Sequence, residues 1–245
     1  MKSFFKAKNR IKVRILIWTI IILLFPYNIL ISKTLLQFFF KEKVWVHKVN
    51  TAVRYASVKD VYSGIEIDLV YDSGKFDIHH PPELKSGFTL TEFLKESSRN
   101  SALKYWLDFK NLSNDNHIES MKRLVEIIEQ FGLERSKVIV ESSQLQFLSL
   151  FKDAGFKIAF YLPNEIRNLP KEELNTLGSE ISKVEELLIS SDYRDYYVLS
   201  SEFPDSSKIL WVSAIWTPYG IFGIRKIVTI INLLLDEKVE VLLLP

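Results

Sequence analysis

The sequence predicts an α/β chain: a (β/α)8 TIM barrel preceded by one N-terminal transmembrane helix. Three observations carry this. Short β-branched and aromatic runs alternate with amphipathic helical stretches from Val44 to the end, which implies a parallel sheet with helical cover. Eight such runs in roughly 200 residues suit a closed barrel at the small end of its size range. Upstream, residues 15–31 are mostly apolar and follow six cations with no acid between residues 1 and 14, the flanking pattern of a signal anchor.

The N-terminal segment sets the domain plan. Residues 1–14 form a basic cytoplasmic tail, 15–32 the transmembrane signal anchor, 33–43 a juxtamembrane tether and 44–245 the barrel. The apolar stretch is near the lower length limit for a span. Trp18 and Tyr27 suit headgroup depth. Tyr27–Lys33 offers no small-x-small cleavage site, so the anchor is expected to stay. The cations hold the N-terminus in the cytoplasm, which puts the barrel on the outer side: periplasm, cell surface or lumen.

The expected strands are 44–47, 64–70, 104–109, 137–141, 157–161, 196–199, 209–216 and 239–244. Helical patterns cover about 51–60, 89–98, 115–131, 143–154, 171–190 and 221–236. Residues 75–79 read as a short extra strand within the second connection. The gap 200–208 is too short for a good helix. An open doubly wound sheet is the alternative, but no glycine-rich loop follows the first strand to hold a nucleotide.

Composition excludes several classes. There is no cysteine, hence no disulfide scaffold, cysteine nucleophile or thiolate zinc site. Residues 44–245 carry 23 Lys and Arg against 29 Asp and Glu. The net charge of −6 in this part argues against nucleic-acid binding.

Candidate chemistry lies at strand ends. In Gly64-Ile-Glu-Ile-Asp-Leu-Val70, Glu66 and Asp68 share one face. Strands of parallel sheets are normally apolar on both faces. Two adjacent inner carboxylates call for a compensating cation, and a divalent ion with oxygen ligands is the simplest. An exposed edge strand with a solvated acidic face is the other reading. Asp108 and Lys110 repeat the pattern on the next strand. There Asp108 can complete a three-carboxylate site and Lys110 can neutralise an anion, or the two form only a local ion pair. His47, His79 and His80 end apparent strands, where barrel active sites lie. Two imidazoles there suit acid and base work. His117 falls in a polar run and reads as solvated. Glu141 ends a strand and could line the pocket, though it belongs to no motif.

In order, His47, Glu66-x-Asp68, His80 and Asp108-x-Lys110 resemble the phospholipase C-like phosphodiesterase superfamily, which includes the glycerophosphodiester phosphodiesterases. Four motifs are similar to its menorin branch: His47-x-x-Asn50-Thr51, Glu66-x-Asp68, His80-Pro81-Pro82 with Thr89-Leu90-x-x-Phe93-Leu94, and Leu107-Asp108-Phe109-Lys110. The resemblance covers about residues 45–111. Beyond that it rests on barrel rhythm and Trp216-Thr217. It implies a (β/α)8 barrel with a divalent metal, Mg2+ or Ca2+, on Glu66, Asp68 and Asp108. It also implies His47 and His80 as the acid–base pair, Lys110 on the phosphate, and Asn50 and Trp216 at the substrate. The His-Pro-Pro match selects His80 over His79, and a packed core role for Trp216 stays open. Two positions depart from the glycerophosphodiesterase pattern. His47-Lys48-Val49 stands for His-Arg-Gly, and His80-Pro81 for His-Asp. Loss of the arginine removes a bidentate phosphate contact.

The expected function is a membrane-anchored, metal-dependent phosphodiester hydrolase or lyase. Its substrate would be a lipid-derived or envelope phosphodiester. A non-catalytic barrel binding a phosphorylated ligand or protein partner is the alternative, and a two-carboxylate glycosidase a third.

Overall fold

The computed structural model describes residues 38–212 and 221–245, with side chains in the second segment from 228 onward. The expected tail, the anchor at 15–32, residues 33–37 of the tether and Trp216 lie outside the described residues. Among the described residues no helix is long and apolar enough to cross a membrane.

Nine strands form one sheet. They are β1 (Val44–Val46), β2 (Gly64–Asp72), β3 (Lys75–Ile78), β4 (Lys104–Phe109), β5 (Val138–Ser142), β6 (Lys157–Tyr161), β7 (Leu187–Asp192), β8 (Lys208–Trp211) and β9 (Val239–Leu244). Eight of them pair in parallel, and β1 bonds both β2 (Val46↔Ile65) and β9 (Val44↔Leu242), which closes the barrel. The ninth, β3, folds back antiparallel on β2, with Leu69 opposite Ile78.

Helices α1 (Ala52–Val58), α2 (Leu90–Ser97), α3 (His117–Gln130), α4 (Leu145–Asp153), α5 (Lys171–Ile181), α6 (Tyr196–Glu202) and α7 (Ile221–Leu235) fill the connections. Two starts follow local chemistry. Thr51 Oγ1 accepts from Arg54 N at 3.1 Å, capping α1. Thr89 and Glu92 form a capping box at α2: Glu92 N donates to Thr89 Oγ1 (3.3 Å) and Thr89 N to Glu92 Oε2 (2.8 Å). Thr51 and Thr89, both within the recognised motifs, thus start helices directly after site-bearing segments.

The sixth strand corrects the sequence reading. Residues 196–199 are helical and form the start of α6, although Tyr-Tyr-Val-Leu favours a strand. The strand is instead 187–192, which the sequence reading places inside a helix over 171–190. Helix α5 stops at Ile181, and Leu187-Leu-Ile runs into the buried Ser190-Ser191. Barrel closure decides the matter. A strand buried on both faces needs apolar and small side chains throughout, and Tyr197 on α6 is 57% exposed.

Alternation along the strands divides the core. One set, including Val44, Ile65, Ile67, Leu107, Val140, Ile158 and Ile189, packs outward against the helices. The inner set is Trp45, Trp106, Ile139, Ala159, Leu188, Ile209, Val241 and Leu243. Trp45 fills the lower barrel, and its indole donates to Glu42 O at 3.0 Å. Gly64 is required there because a Cβ would sit 2.1 Å from Trp45 Cδ2. A Gly64→Ala variant is therefore expected to lose about 1–3 kcal/mol from overpacking, read as a lower midpoint in denaturant unfolding. An unchanged midpoint would mean that Trp45 swings aside freely.

Candidate active site

The parallel register lifts the inner carboxylates to one end. Asp68 is opposite Asp108, and Asp108 opposite Glu141, on three neighbouring strands. Below them the barrel is filled by the tryptophans and aliphatics of the inner set. Above them a cavity of about 340 Å3 opens at the C-terminal ends of the strands. Its walls include His47, Glu66, His80, Asp108, Lys110 and Glu141. A wider groove of about 1140 Å3 lies at the opposite end, near Lys157, Leu187, Ser207 and Glu240. No group of three converging ligand side chains lines it among the described residues, so the smaller, polar cavity is the candidate site.

Glu66, Asp68 and Asp108 each present an oxygen within 4.8 Å of the others, and all three are buried. Lys110, two residues beyond Asp108, bridges the pair: its Nζ is 2.9 Å from Asp68 Oδ1 and bonds Asp108 Oδ2. Asn50 engages Asp68 twice. Its Nδ2 donates to Asp68 Oδ2 (2.6 Å), and its Oδ1 accepts from Asp68 N (3.0 Å). Both ends of the Asn50 amide are thus committed to Asp68 at the edge of the cavity. Lys48 N donates to Glu66 Oε2 at 2.6 Å. Lys48 reaches it from a left-handed backbone, φ 56°, a strained conformation costing of order 1–3 kcal/mol in a non-glycine residue. The other Glu66 oxygen, Oε1, is buried with no hydrogen-bond partner among the described residues.

Electrostatics follow from this crowding. Burial pushes Glu66 well above the usual carboxylate range, and Asp68 and Asp108 push it further. Burial also raises Asp108, against the opposing charge of Lys110. At Asp68 burial acts upward, but Lys110 and the Asn50 hydrogen bond outweigh it and hold this carboxyl low. Lys110 is itself raised, because Asp108 and Asp68 overcome its desolvation. The cluster of Glu66, Asp68 and Asp108 is therefore paired with one lysine side chain, Lys110. Three buried oxygen donors, one of them with an unused lone-pair site, fit a hard divalent cation. An unsatisfied buried acceptor is otherwise costly.

The two histidines flank the acids. His47 Nε2 is 3.6 Å from Glu66 Oε2. Burial, reinforced by Lys48, lowers its pKa to about 4 despite Asp68, so the ring is neutral near pH 7 and free to accept a proton. His80 lines the cavity and His79 does not. His79 turns away and pairs its Nδ1 with Asp77 Oδ1 at 2.6 Å. Asp77 also accepts from Ser86 N (3.1 Å) and Gly87 N (2.9 Å). This ties together the two ends of the loop that presents His80.

Sequence reasoning missed the aromatic wall. Tyr161 and Trp211 stack at 5.1 Å and 16° and line one side. Glu141 is fully buried. Trp106 Nε1 donates to its Oε2 (2.7 Å), and Ser190 Oγ bonds its Oε1. Ser190 is hidden in the sequence because its strand reads as the end of a helix. Glu141, expected at the pocket from its place at a strand end, lines it by continuing the inward alternation of Val138-Ile-Val-Glu-Ser. Burial first, then Asp108, raise Glu141 well above the ordinary range. Ser190 Oγ donates to Glu141 Oε1 and also lies 3.3 Å from Phe160 O. With the folded pKa raised, wild type loses stability as pH rises above the ordinary carboxylate range, where only the unfolded chain ionises freely. Glu141→Gln mimics the neutral acid. Its melting temperature is expected to gain on wild type as pH is raised from about 4.5 to about 8, and parallel curves would show an ionised Glu141.

No protein-family model matches the chain, and no curated protein matches it. Solved structures do. A glycerophosphodiester phosphodiesterase from Parabacteroides distasonis superposes with TM-score 0.56 at 11% identity, over 83% of this chain and 92% of that one. The fold is that of the glycerophosphodiester phosphodiesterases. An Oleispira antarctica phosphodiesterase in complex with sn-glycerol-3-phosphate gives TM-score 0.55 at 11% identity, over 84% and 94%. A Thermotoga maritima glycerophosphodiester phosphodiesterase gives 0.50 at 18%, over 82% and 92%. The expected barrel is thus borne out in its eight parallel strands.

Proposed function

We propose that the chain is a metal-dependent phosphodiesterase of the glycerophosphodiester type, held at a membrane by residues 15–32 with its barrel on the outer side. The convergence of Glu66, Asp68 and Asp108 between two histidines carries this reading. Glu66, Asp68 and Asp108 would hold Mg2+ or Ca2+. When bound, the ion supplies Lewis acidity to a phosphodiester oxygen. His47 takes the proton of the attacking hydroxyl, from water or from the substrate itself. His80 returns a proton to the leaving oxygen, and Lys110 offsets phosphate charge. The Oleispira phosphodiesterase and its glycerol phosphate product support a small phosphodiester ligand. The His80-Pro81-Pro82 motif supports the menorin-like branch. A lipid-derived or envelope phosphodiester is the substrate class that suits an anchored enzyme.

The test is turnover of a panel of glycerophosphodiesters and lysophospholipids by the full chain, with and without chelator. Hydrolysis abolished by chelator and restored by magnesium or calcium is the expected result. The second reading, a non-catalytic phosphoryl-binding barrel, is favoured by Lys48 in place of the usual arginine. It predicts binding without turnover. Chelator-insensitive cleavage of a glycoside would support the glycosidase reading.

A further inference from the structure

The outer faces of the barrel helices are not alike. On α3, Glu119, Lys122, Glu126 and Glu129 face solvent, and on α5, Lys171, Glu172, Glu173 and Glu180 do. Helix α7 differs. Its sequence contains no acid, and its solvent-facing positions from 228 onward are Val228, Ile231, Asn232 and Leu235. The three aliphatics are 48%, 42% and 65% exposed and lie three and four residues apart, which makes one stripe. Tyr197, 57% exposed on α6, extends it, because Asn232 Nδ2 donates to Tyr197 OH at 3.4 Å.

This stripe descends to the end of the barrel where the chain enters. Helix α7 runs against the strands and finishes beside the start of β1: Lys43 Nζ donates to Asp236 O at 2.7 Å. Phe38 and Phe39, just before that point, are 78% and 70% exposed. Scattered single apolar residues on a surface are ordinary. Here an aliphatic stripe and two exposed phenylalanines share one end of the barrel, within a few residues of the apolar segment 15–31.

We propose that this end of the barrel, with Phe38, Phe39 and the outer face of α7, rests on the bilayer surface. The occupant is lipid, and the mode is that of an interfacial apolar helix face. The candidate site lies at the C-terminal ends of the parallel strands, about 20 Å from the entry end at ~3.3 Å per residue. This inference rests on the anchored reading above.

The chain has no cysteine, so single labels are clean. Full-length Val228→Cys, Ile231→Cys and Leu84→Cys proteins, each carrying an environment-sensitive dye, would be reconstituted into phosphatidylcholine–phosphatidylglycerol vesicles. Leu84, 91% exposed, sits on the loop that presents His80 and serves as the distal position. Circular dichroism checks the fold of each. The expected result is flotation with the vesicles, blue-shifted emission at 228 and 231, quenching there by a lipid-borne quencher, and loss of iodide quenching. The label at 84 is expected to show the reverse. Proteins that float while 228 and 231 remain iodide-quenched would overturn the docking and leave the anchor standing. Proteins that fail to float would overturn the anchor and the docking together. Neither outcome touches the phosphodiesterase reading, which the turnover panel tests separately.

Discussion

Replacing Glu66 by glutamine together with Asp68 by asparagine is expected to abolish divalent-cation binding while leaving the metal-free fold at least as stable. Glu66 is fully buried, one of its oxygens is unpartnered, and Asp68 and Asp108 crowd it. Without an ion, ionising Glu66 costs free energy that a neutral amide does not incur. The substitutions keep part of the local hydrogen bonding. The amide oxygen introduced by Asp68→Asn can still accept from Asn50 Nδ2, while Lys110 loses Asp68 Oδ1 and keeps Asp108. The amide oxygen introduced by Glu66→Gln can still take the Lys48 backbone N–H. Binding is expected to weaken by more than tenfold, or about 1.4 kcal/mol or more. Calorimetric titration of magnesium and calcium into the full chain reads the affinity, and thermal unfolding in chelator reads the stability. Lost binding with a retained or raised melting temperature is the signature of a site that trades stability for function. Wild-type protein that binds neither ion, alone or with a phosphodiester present, would remove the metal from the proposal.

The histidines should show the second large effect. Alanine at His47 or His80 is expected to lower turnover by about 10²–10⁴-fold, the usual worth of a positioned acid or base. That corresponds to about 3–5 kcal/mol of barrier. His79→Ala should act differently. It removes the partner of Asp77 rather than a cavity wall, so its cost falls on the loop and not on the chemistry. The pH profile separates the roles further. A base works unprotonated, and the folded pKa of His47 is lowered to about 4. Activity that depends on it is present above that value and lost as pH falls through it, well below the range of a free imidazole. Rate is measured against pH for wild type and for His80→Ala, with circular dichroism confirming the fold of both. Full activity in a folded His80→Ala protein would end the two-histidine mechanism.

Much of this arrangement is legible in the sequence. Period-two alternation puts Glu66 and Asp68 on one face of β2, and Asp108 on β4 on the same side as Lys110 just beyond its end. Parallel pairing then brings those faces together at one height, with Asp68 opposite Asp108. The strands that build the carboxylate cluster are long and strongly patterned, so local chemistry fixes them. The later strands are less distinct. Leu187–Asp192 follows a helix after only a few residues, and Tyr196–Leu199 has the composition of a strand. Only closure of the barrel, which demands six buried residues at 187–192, decides between them.

Residue type and spacing along single elements are enough for the alternating class of the fold, the identity of the acids and histidines, and the absence of thiol chemistry. The remaining features come from the folded barrel. There His79 turns onto Asp77 and leaves His80 at the cavity. Asn50 goes to Asp68, and the strained Lys48 amide is aimed at Glu66. Glu141 sits on the Trp106–Ser190 pair, and Tyr161 stacks on Trp211. Each of these is a contact between residues distant in the chain or a choice between neighbours. Its energy depends on burial and on which group arrives opposite, and neither quantity exists until the barrel has closed.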